Sequence, residues 1–223
     1  SGVGKSTFSK GLSSIFGKNS IAEVTGDDYH NWDRKSPMWK SFTHLDPKSN
    51  KLFQMVQDVR KLLDGGIVNA RRYDHKTGCF KAAKIKKSRD VILVEGLHAL
   101  YTKQLLEETD VKIFIDMDES LRLFLRSKRD LTKRGHTKKT VNSDLERRRE
   151  DAKLYIDPQA DCADVVFSLI PINVDLLSIN ELDGKNLKIR VKIKNGIYYQ
   201  DLIRVLVGIC GLQVNIESIN ENG

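Results

Sequence analysis

The sequence opens with Ser1-Gly2-Val3-Gly4-Lys5-Ser6-Thr7, which has the composition of a loop that wraps around phosphate groups. Glycines allow such a backbone to curl until consecutive N–H groups point inward at phosphate oxygens. The helix that follows adds its positive N-terminal end to the same site. The predicted nucleotide-binding residues are therefore Gly2, Val3, Gly4, Lys5, Ser6 and Thr7.

Two side chains of this loop have predicted roles. In the pattern G-x-x-x-x-G-K-[ST], the lysine reaches the β- and γ-phosphates and the next hydroxyl ligates Mg²⁺, which points to Lys5 and Ser6. ATP and Mg²⁺ are thus the expected cofactors. The first glycine of the pattern is not in the sequence, and we expect it upstream of Ser1 together with a buried strand. A Gly-Lys-Ser run also occurs by chance, so the prediction depends on the rest of the chain.

Beyond the loop, short apolar runs alternate with amphipathic segments, which is typical of an α/β domain with a largely parallel sheet flanked by helices. The predicted elements are helices at 7–16, 51–63 and 119–133, and strands at 21–25, 91–94, 111–115 and 165–169. Pro171 predicts a break. Alternating apolar residues at 187–193, followed by Asn195-Gly196, predict a hairpin. We therefore expect a main phosphate-binding domain at 1–172 and a β-rich C-terminal extension at 173–223.

Composition narrows the class of partner. The 223 residues are 39% hydrophobic and 30% charged, as in globular proteins, and no apolar run approaches the roughly 20 residues of a membrane helix. A net charge of +8 suits either a solvated basic surface or anionic partners. Nucleic-acid motifs are absent, so phosphorylated small molecules are favoured. Three widely spaced cysteines predict a reducing, cytoplasm-like compartment, with an upstream targeting segment left open.

Three predicted strands end in acidic residues, namely Asp27-Asp28, Glu95 and Asp116. The carboxyl ends of parallel strands converge where ligands bind in this class of fold. Asp27 is the candidate base for an attacking hydroxyl, and Glu95 is the candidate Mg²⁺ ligand, directly or through water. A helix cap or a solvated turn is an equally good alternative for each. For Asp116 we favour a structural role, because Asp118-Glu119 is typical of a helix start.

An arginine-rich helix is the remaining feature with chemical meaning. Arg122, Arg126, Arg129 and Lys133 share one helical face, and Arg134-Gly135 follows as a candidate hinge. Phosphoryl transfer needs its spreading negative charge neutralised, which a closing arginine lid does. The basic run at 146–150 has a solvated helix as its alternative. His30 and His75 lie near the candidate base, although structural hydrogen bonding is the commoner role of a lone histidine.

With these motifs in order, residues 1–172 resemble the phosphoribulokinase and uridine kinase family of P-loop kinases. The segment Gly26-Asp27-Asp28-Tyr29-His30-Asn31-Trp32-Asp33-Arg34 is similar to the phosphoribulokinase substrate motif. The resemblance implies that Asp27 is the base and that His30 and Arg34 contact a sugar phosphate. Tyr73-Asp74-His75-Lys76-Thr77-Gly78 is similar to a second substrate segment, which implies contacts from Tyr73 and His75.

Other motifs extend the resemblance to the family, and the last of them is nearer to phosphoribulokinases of the plant and cyanobacterial type than to uridine kinases. These motifs are Val94-Glu95-Gly96-Leu97-His98, the lid-like Lys128-Arg129-Asp130 and Arg134-Gly135-His136-Thr137, and Tyr155-Ile156-Asp157-Pro158-Gln159. The resemblance implies that Lys5, Arg129 and Arg134 act in catalysis and that Arg126 binds substrate. Val3 and Thr25 stand where redox-regulated members carry cysteines, so a thiol switch between those positions is not expected.

The expected reaction is transfer of the γ-phosphoryl group of ATP to ribulose 5-phosphate or a similar pentose phosphate. A uridine or cytidine kinase is the alternative enzyme, since Trp32 and Tyr73 could hold a base. A catalytically silent nucleotide-binding regulatory module is the alternative outside catalysis. The resemblance also implies a homodimer and predicts neither a nucleic-acid nor a membrane partner.

Overall fold

The computed structural model describes residues 5–125, 147–173, 187–194, 200–204, 207–208 and 215, except for the side chains of residues 6, 201 and 202. Within these ranges, helices and strands alternate along the chain. The regular elements are α1 (Lys5–Phe16), β1 (Ile21–Thr25), α2 (Leu52–Leu63), β2 (Ile67–Asp74), β3 (Cys79–Lys87), β4 (Val91–Glu95), α3 (Lys103–Glu108), β5 (Ile113–Met117), β6 (Val165–Pro171) and β7 (Leu187–Ile193). Helical segments also occupy 119–125 and Gln200–Arg204.

The pairing of the strands confirms the predicted α/β class. β1 pairs with β4 and β5 pairs with β6, both in parallel, and parallel pairing requires crossover connections of the kind that helices supply. β7 adds to β6 in the antiparallel direction, in register from Val165 opposite Ile193 to Pro171 opposite Leu187. β2 and β3 form an antiparallel hairpin. β7, which lies in the described part of the C-terminal extension, is thus the third strand of the sheet formed by β5 and β6.

Most predicted elements are confirmed, with shifts that have local causes. The strand predicted at 111–115 begins two residues later, at Ile113, because Val111 is exposed and Lys112 instead donates its N–H to Asp164 at 2.8 Å. The strand predicted at 165–169 extends to Pro171, which pairs with Leu187, and β6 ends at this residue, as the predicted break requires. The hairpin predicted at 195–196 lies outside the described residues.

The β2–β3 hairpin was not predicted. β3 is exposed along most of its length, so the apolar-polar alternation that marks a strand with one buried face is missing from its sequence. A bulge between Ala70 and Arg72 also interrupts the period-two pattern of β2. This hairpin carries Tyr73 and His75, two of the predicted substrate residues.

The main core lies between α2 and the parallel strands. Apolar residues of α2 recur at helical spacing and turn one buried stripe towards β1, β2 and α3, at Met55, Val56, Val59 and Leu62. The other buried members of this cluster are Val24 of β1, Tyr29, Val68 of β2 and Leu105 of α3. The stripe ends where Gly65 adopts a left-handed φ of +81°, which stops the helix. No helix in these described ranges is long and apolar enough to cross a membrane.

The carboxyl ends of β1 and β4 approach each other through two glycines. A Cβ added to Gly96 would lie 3.0 Å from the Cα of Gly26 and 3.3 Å from its nitrogen. A Cβ added to Gly26 would lie 3.1 Å from the Cα of Gly96. Both neighbours are backbone, which cannot rotate away. Glycine at these two positions therefore lets the two strand ends, and the residues that follow them, lie side by side.

We expect Gly96→Ala to lower the free energy of unfolding by about 1–3 kcal/mol, because the added methyl group overpacks two backbones. Urea denaturation measures this change. Gly11→Ala is the matched control, since Gly11 lies in α1 with nothing within 4 Å of its added Cβ. Alanine there should stabilise the helix slightly. Equal stability of Gly96→Ala and wild type would contradict the close approach.

Candidate active site

Two acidic residues that the sequence singled out lie at one edge of the β1–β4 pair. Thr25, the last residue of β1, is paired with Glu95, the last residue of β4. Asp27 follows in a short 3₁₀ turn, Gly26–Tyr29, directly beyond the end of β1. Parallel pairing thus brings both segments to the carboxyl edge, where ligands bind in open α/β sheets.

The Asp27 carboxylate lies between two histidines. Its Oδ1 is 3.4 Å from Nε2 of His30, and its Oδ2 is 3.3 Å from Nε2 of His75. The two rings approach from different sides: the side chain of His30 is 5% exposed and that of His75 is 64% exposed. The structure thus brings together three residues that lie in two separate motifs of the sequence.

The two histidines also control the charge of Asp27. Burial alone would raise the pKa of the carboxyl group, but the hydrogen bonds and positive charge of His30 and His75 outweigh it. The pKa of Asp27 therefore lies well below its usual range. The group stays ionised at neutral pH and is available to accept a hydrogen bond from an incoming hydroxyl.

Contacts to both the ring and the backbone of His30 fix its position. Its Nδ1 is 2.7 Å from Oδ1 of Asn50, and its backbone carbonyl accepts a hydrogen bond from Arg71 of β2 at 2.7 Å. The ring of Tyr73 packs edge-on at 5.5 Å, and the ring of His44 lies 4.7 Å away. Both ring nitrogens of His30 are engaged, so the sugar-phosphate contact expected for this residue would compete with Asp27.

Arg34 lies on the rim of the site against the β2–β3 turn. Its Nη2 donates to the carbonyl of His75 at 2.7 Å, its backbone N–H donates to Gly78 at 2.7 Å, and its side chain hydrogen-bonds Tyr73. Burial raises the pKa of Tyr73, an effect that the charge of Arg34 opposes. The predicted substrate residues His30, Arg34, Tyr73 and His75 are therefore neighbours.

Gly78 makes room for Arg34. It has a left-handed φ of +75°, and a Cβ added there would lie 2.6 Å from the Cβ of Arg34 and 2.9 Å from its Nε. We expect Gly78→Ala to displace the guanidinium and raise KM for a phosphorylated acceptor by about 10-fold, as for the loss of one hydrogen bond to a charged group. Steady-state kinetics with varied acceptor measures this effect.

Gly65→Ala is the matched control for that substitution. Gly65 has a similar φ of +81°, but nothing lies within 4 Å of its added Cβ. Both variants therefore introduce the same backbone strain, and only Gly78→Ala moves Arg34. Equal KM values in the two variants would show that Arg34 does not hold the acceptor.

Glu95 is oriented by a serine that the sequence did not single out. Ser9, one turn into α1, is buried, and its hydroxyl lies 2.5 Å from Oε2 of Glu95. Lys5 begins the described part of α1, whose first turn carries no acidic residue to oppose a bound anion. Mg²⁺ is commonly held by one or two carboxylates together with phosphate oxygens and waters, which Glu95 at this edge fits.

Several predicted residues lie outside the described residues. They are Gly2, Val3 and Gly4 of the phosphate loop and Arg126, Arg129 and Arg134 of the lid, and the side chain of Ser6 is likewise not described. Thr7 is exposed on α1. Arg122, which the sequence predicted to share a helical face with Arg126 and Arg129, binds Asp116 at 2.8 Å.

The structural role favoured for Asp116 agrees with this contact. Asp118 is the acid that begins the helix, because its Oδ1 accepts hydrogen bonds from the backbone N–H groups of Ser120 at 3.0 Å and Leu121 at 3.4 Å. Neither acid therefore joins Asp27 and Glu95.

The sequence did not point to the residues that hold His30 and the loop after β4 in position. Asn50 and Arg71 hold His30, and Gln159 holds the loop after β4 by accepting from Leu100 N–H at 3.0 Å and donating to the carbonyl of Leu97 at 2.9 Å. His98 lies in the same loop, 2.9 Å from the carbonyl of Leu45, and burial lowers its pKa. Gln159 and His98 carried a signal, because each is the last residue of a motif that the sequence singled out.

Known proteins with similar sequences and folds identify the family of this chain. The family model described as "Phosphoribulokinase / Uridine kinase family" matches residues 1–175. The chain is 31% identical to the phosphoribulokinase of Synechocystis sp., over 89% of this chain and 59% of the relative. It is 31% identical to a uridine kinase of Clostridium botulinum, over 74% of this chain and 82% of the relative.

A solved structure of phosphoribulokinase from Rhodobacter spheroides matches the fold with a TM-score of 0.77. The match is 20% identical and covers 90% of this chain and 81% of that one. The chain spans less than two thirds of the length of the Synechocystis relative, at 59%. The family model nevertheless covers both candidate substrate segments and both acidic strand ends. The chain therefore belongs to the phosphoribulokinase / uridine kinase family.

Proposed function

We propose that this protein is an ATP-dependent kinase that transfers the γ-phosphoryl group to a hydroxyl of a pentose phosphate, with ribulose 5-phosphate as the first acceptor to test. The observation that supports it most directly is the Asp27 carboxylate, held between His30 and His75 beside Arg34. This arrangement offers a hydrogen-bond acceptor to the hydroxyl and a cation to the acceptor's own phosphate.

The depressed pKa of Asp27 is compatible with this role. The transition state of phosphoryl transfer is loose, so catalysis is mostly positioning and electrostatic stabilisation. Asp27 orients the hydroxyl and accepts its proton as the new bond to phosphorus forms. Arg34 and His75 would hold the acceptor on the rim. Arg126, Arg129 and Arg134 are proposed to close over the site.

ATP and Mg²⁺ are the proposed cofactors. Lys5 and the backbone of residues 2–7 would hold the phosphates of the nucleotide, and Ser6 and Glu95 would hold the metal. When bound, Mg²⁺ neutralises charge on the phosphates. Among the described residues, no group of three or more His, Cys, Asp or Glu side chains could form a metal cage, which suits an ion held largely by phosphates and water.

A uridine or cytidine kinase is the second candidate, and an aromatic cluster supports it. Trp32 packs against Trp39 at 5.2 Å and against Phe42 at 5.7 Å, next to the His30 region. A nucleoside base could stack there. A nucleoside brings no phosphate, however, so it would make no use of the positive charge of Arg34. A pentose phosphate therefore fits the positive charge of Arg34 at the rim of the site better than a nucleoside does.

ADP release should be measured separately with ribulose 5-phosphate and with uridine. We expect turnover with ribulose 5-phosphate and little with uridine. The reverse preference would support the nucleoside kinase. ATP binding without turnover on either acceptor would support the regulatory module and contradict the first proposal. Sedimentation in the same buffer tests the expected homodimer.

A further inference from the structure

Asn50 has an orientation that is fixed by its own neighbours. Its Nδ2 donates to two backbone carbonyls, those of Asp46 at 3.0 Å and His44 at 3.3 Å. Only the amide nitrogen can donate to carbonyls, so the other end of the amide, Oδ1, faces His30. That oxygen is 2.7 Å from Nδ1 of His30. Since a carbonyl oxygen can only accept, Nδ1 of His30 must carry a proton.

This restriction determines what the other ring nitrogen can do. A neutral imidazole carries one proton, so a neutral His30 has a bare Nε2 that can only accept. Nε2 faces Oδ1 of Asp27 at 3.4 Å. A carboxylate cannot donate to it, and an imidazole without a proton there cannot donate to the carboxylate. Asp27 and His30 therefore form an attractive contact only when they share an additional proton.

We propose that Asn50 is a positioning residue that holds His30 in the Nδ1–H form, so that Nε2 serves as the proton store for Asp27. This inference rests on the proposed function of Asp27. As the acceptor oxygen bonds to the γ-phosphorus of ATP, the bond from that phosphorus to the bridging oxygen breaks, ADP leaves, and the hydroxyl proton passes to Asp27. The proton then moves to Nε2 of neutral His30. The resulting imidazolium is stabilised by Asn50 Oδ1, and solvent takes the proton when the product leaves.

The surroundings of His30 leave this pairing undisturbed. His44 is the nearest second ring, and burial followed by the charge of His30 lowers its pKa to about 3, so it does not compete as a cation. Arg71 contacts the backbone carbonyl of His30. The ionisable and charged groups that face His30 are Asp27 from its own turn, His44 from the 43–50 segment, Arg71 and Tyr73 from β2, and His98 from the loop after β4.

The ring spectrum of His30 tests the inference without any turnover. Two-bond ¹H–¹⁵N spectra of ¹⁵N-labelled protein distinguish the two neutral forms, and His30→Gln assigns the signals. Above the pH at which the ring loses its extra proton, we expect the Nδ1–H form in the wild-type protein. The Nε2–H form would overturn the inference. Failure of the proposed function would appear instead as absent ADP release, so the two failures are distinguishable.

Two substitutions of Asn50 should move the pH dependence in opposite directions. We expect kcat/KM of the wild type to rise with pH, because a bare Nε2 of His30 can take the proton from Asp27 and a protonated one cannot. Asn50→Leu removes the acceptor that stabilises the imidazolium, so the rise should shift down by about one pH unit. Asn50→Asp places a negative charge there, so the rise should shift up by about one pH unit or more.

Asn31→Ala is the matched control. Asn31 also contacts the 43–50 segment, because its side chain donates a hydrogen bond to the carbonyl of Lys48 at 2.7 Å. This hydrogen bond does not involve the ring of His30. It should leave the pH of the rise unchanged. A purely structural Asn50 would lower activity in both of its variants at every pH without moving the rise. That result would overturn the inference.

Discussion

Replacing Asp27 with asparagine should lower turnover by about 10²–10⁴-fold, the usual contribution of a positioned acid or base. The amide keeps the size of the side chain but cannot take the proton of the acceptor hydroxyl. His30 and His75 also lose the carboxylate that they contact at 3.4 and 3.3 Å. The affinity for ATP should change little, because Asp27 lies on the acceptor side. Steady-state kinetics and calorimetric titration with ATP measure the two effects.

Asp64→Asn is the control for the loss of one negative charge. Asp64 is exposed at the end of α2. It should retain wild-type turnover, which would show that net charge alone does not cause the loss. Near-normal turnover of Asp27→Asn would remove Asp27 from the role of base. A large loss of ATP affinity in that variant would also contradict the assignment.

The parallel strands could be predicted because they are short and mostly apolar. Val91–Glu95 and Ile21–Thr25 stand out in the sequence because their only polar residues are Glu23 and the last residue of each strand, Thr25 or Glu95. The acids that follow could be placed at one edge from topology alone, because parallel strands end together. The prediction that Asp27 lies near Glu95 required only this rule.

The supporting half of the site could not be predicted, because its contacts are made by single polar residues that are distant in sequence. Asn50 reaches His30 across 20 residues, and Ser9 reaches Glu95 across 86. Asparagines and serines in loops have no periodicity to mark them. β3 also lacks a buried face, so the hairpin that carries Tyr73 and His75 left no strand pattern.

Replacing Asp28 with alanine should have the largest effect on stability. Although it is the neighbour of Asp27, its side chain is only 7% exposed and points into the hairpin. Oδ1 accepts the backbone N–H of Tyr73 at 2.8 Å, and Oδ2 lies 3.2 Å from Nζ of Lys86. Alanine would leave a buried N–H and a half-buried ammonium group without their acceptor. We expect the free energy of unfolding to fall by about 2–4 kcal/mol.

A double substitution separates the contribution of the Asp28–Lys86 ion pair to stability from the other effects of replacing Asp28. Asp28→Leu with Lys86→Met removes both charges, so it should be more stable than Asp28→Leu alone, because the ammonium group no longer lacks a partner. Urea denaturation of the four proteins in this cycle gives the coupling. Glu107→Ala, which breaks the exposed pair with Lys103, should change stability little. If Asp28→Ala is as stable as Glu107→Ala, the Asp28 pair does not anchor the turn that carries Asp27.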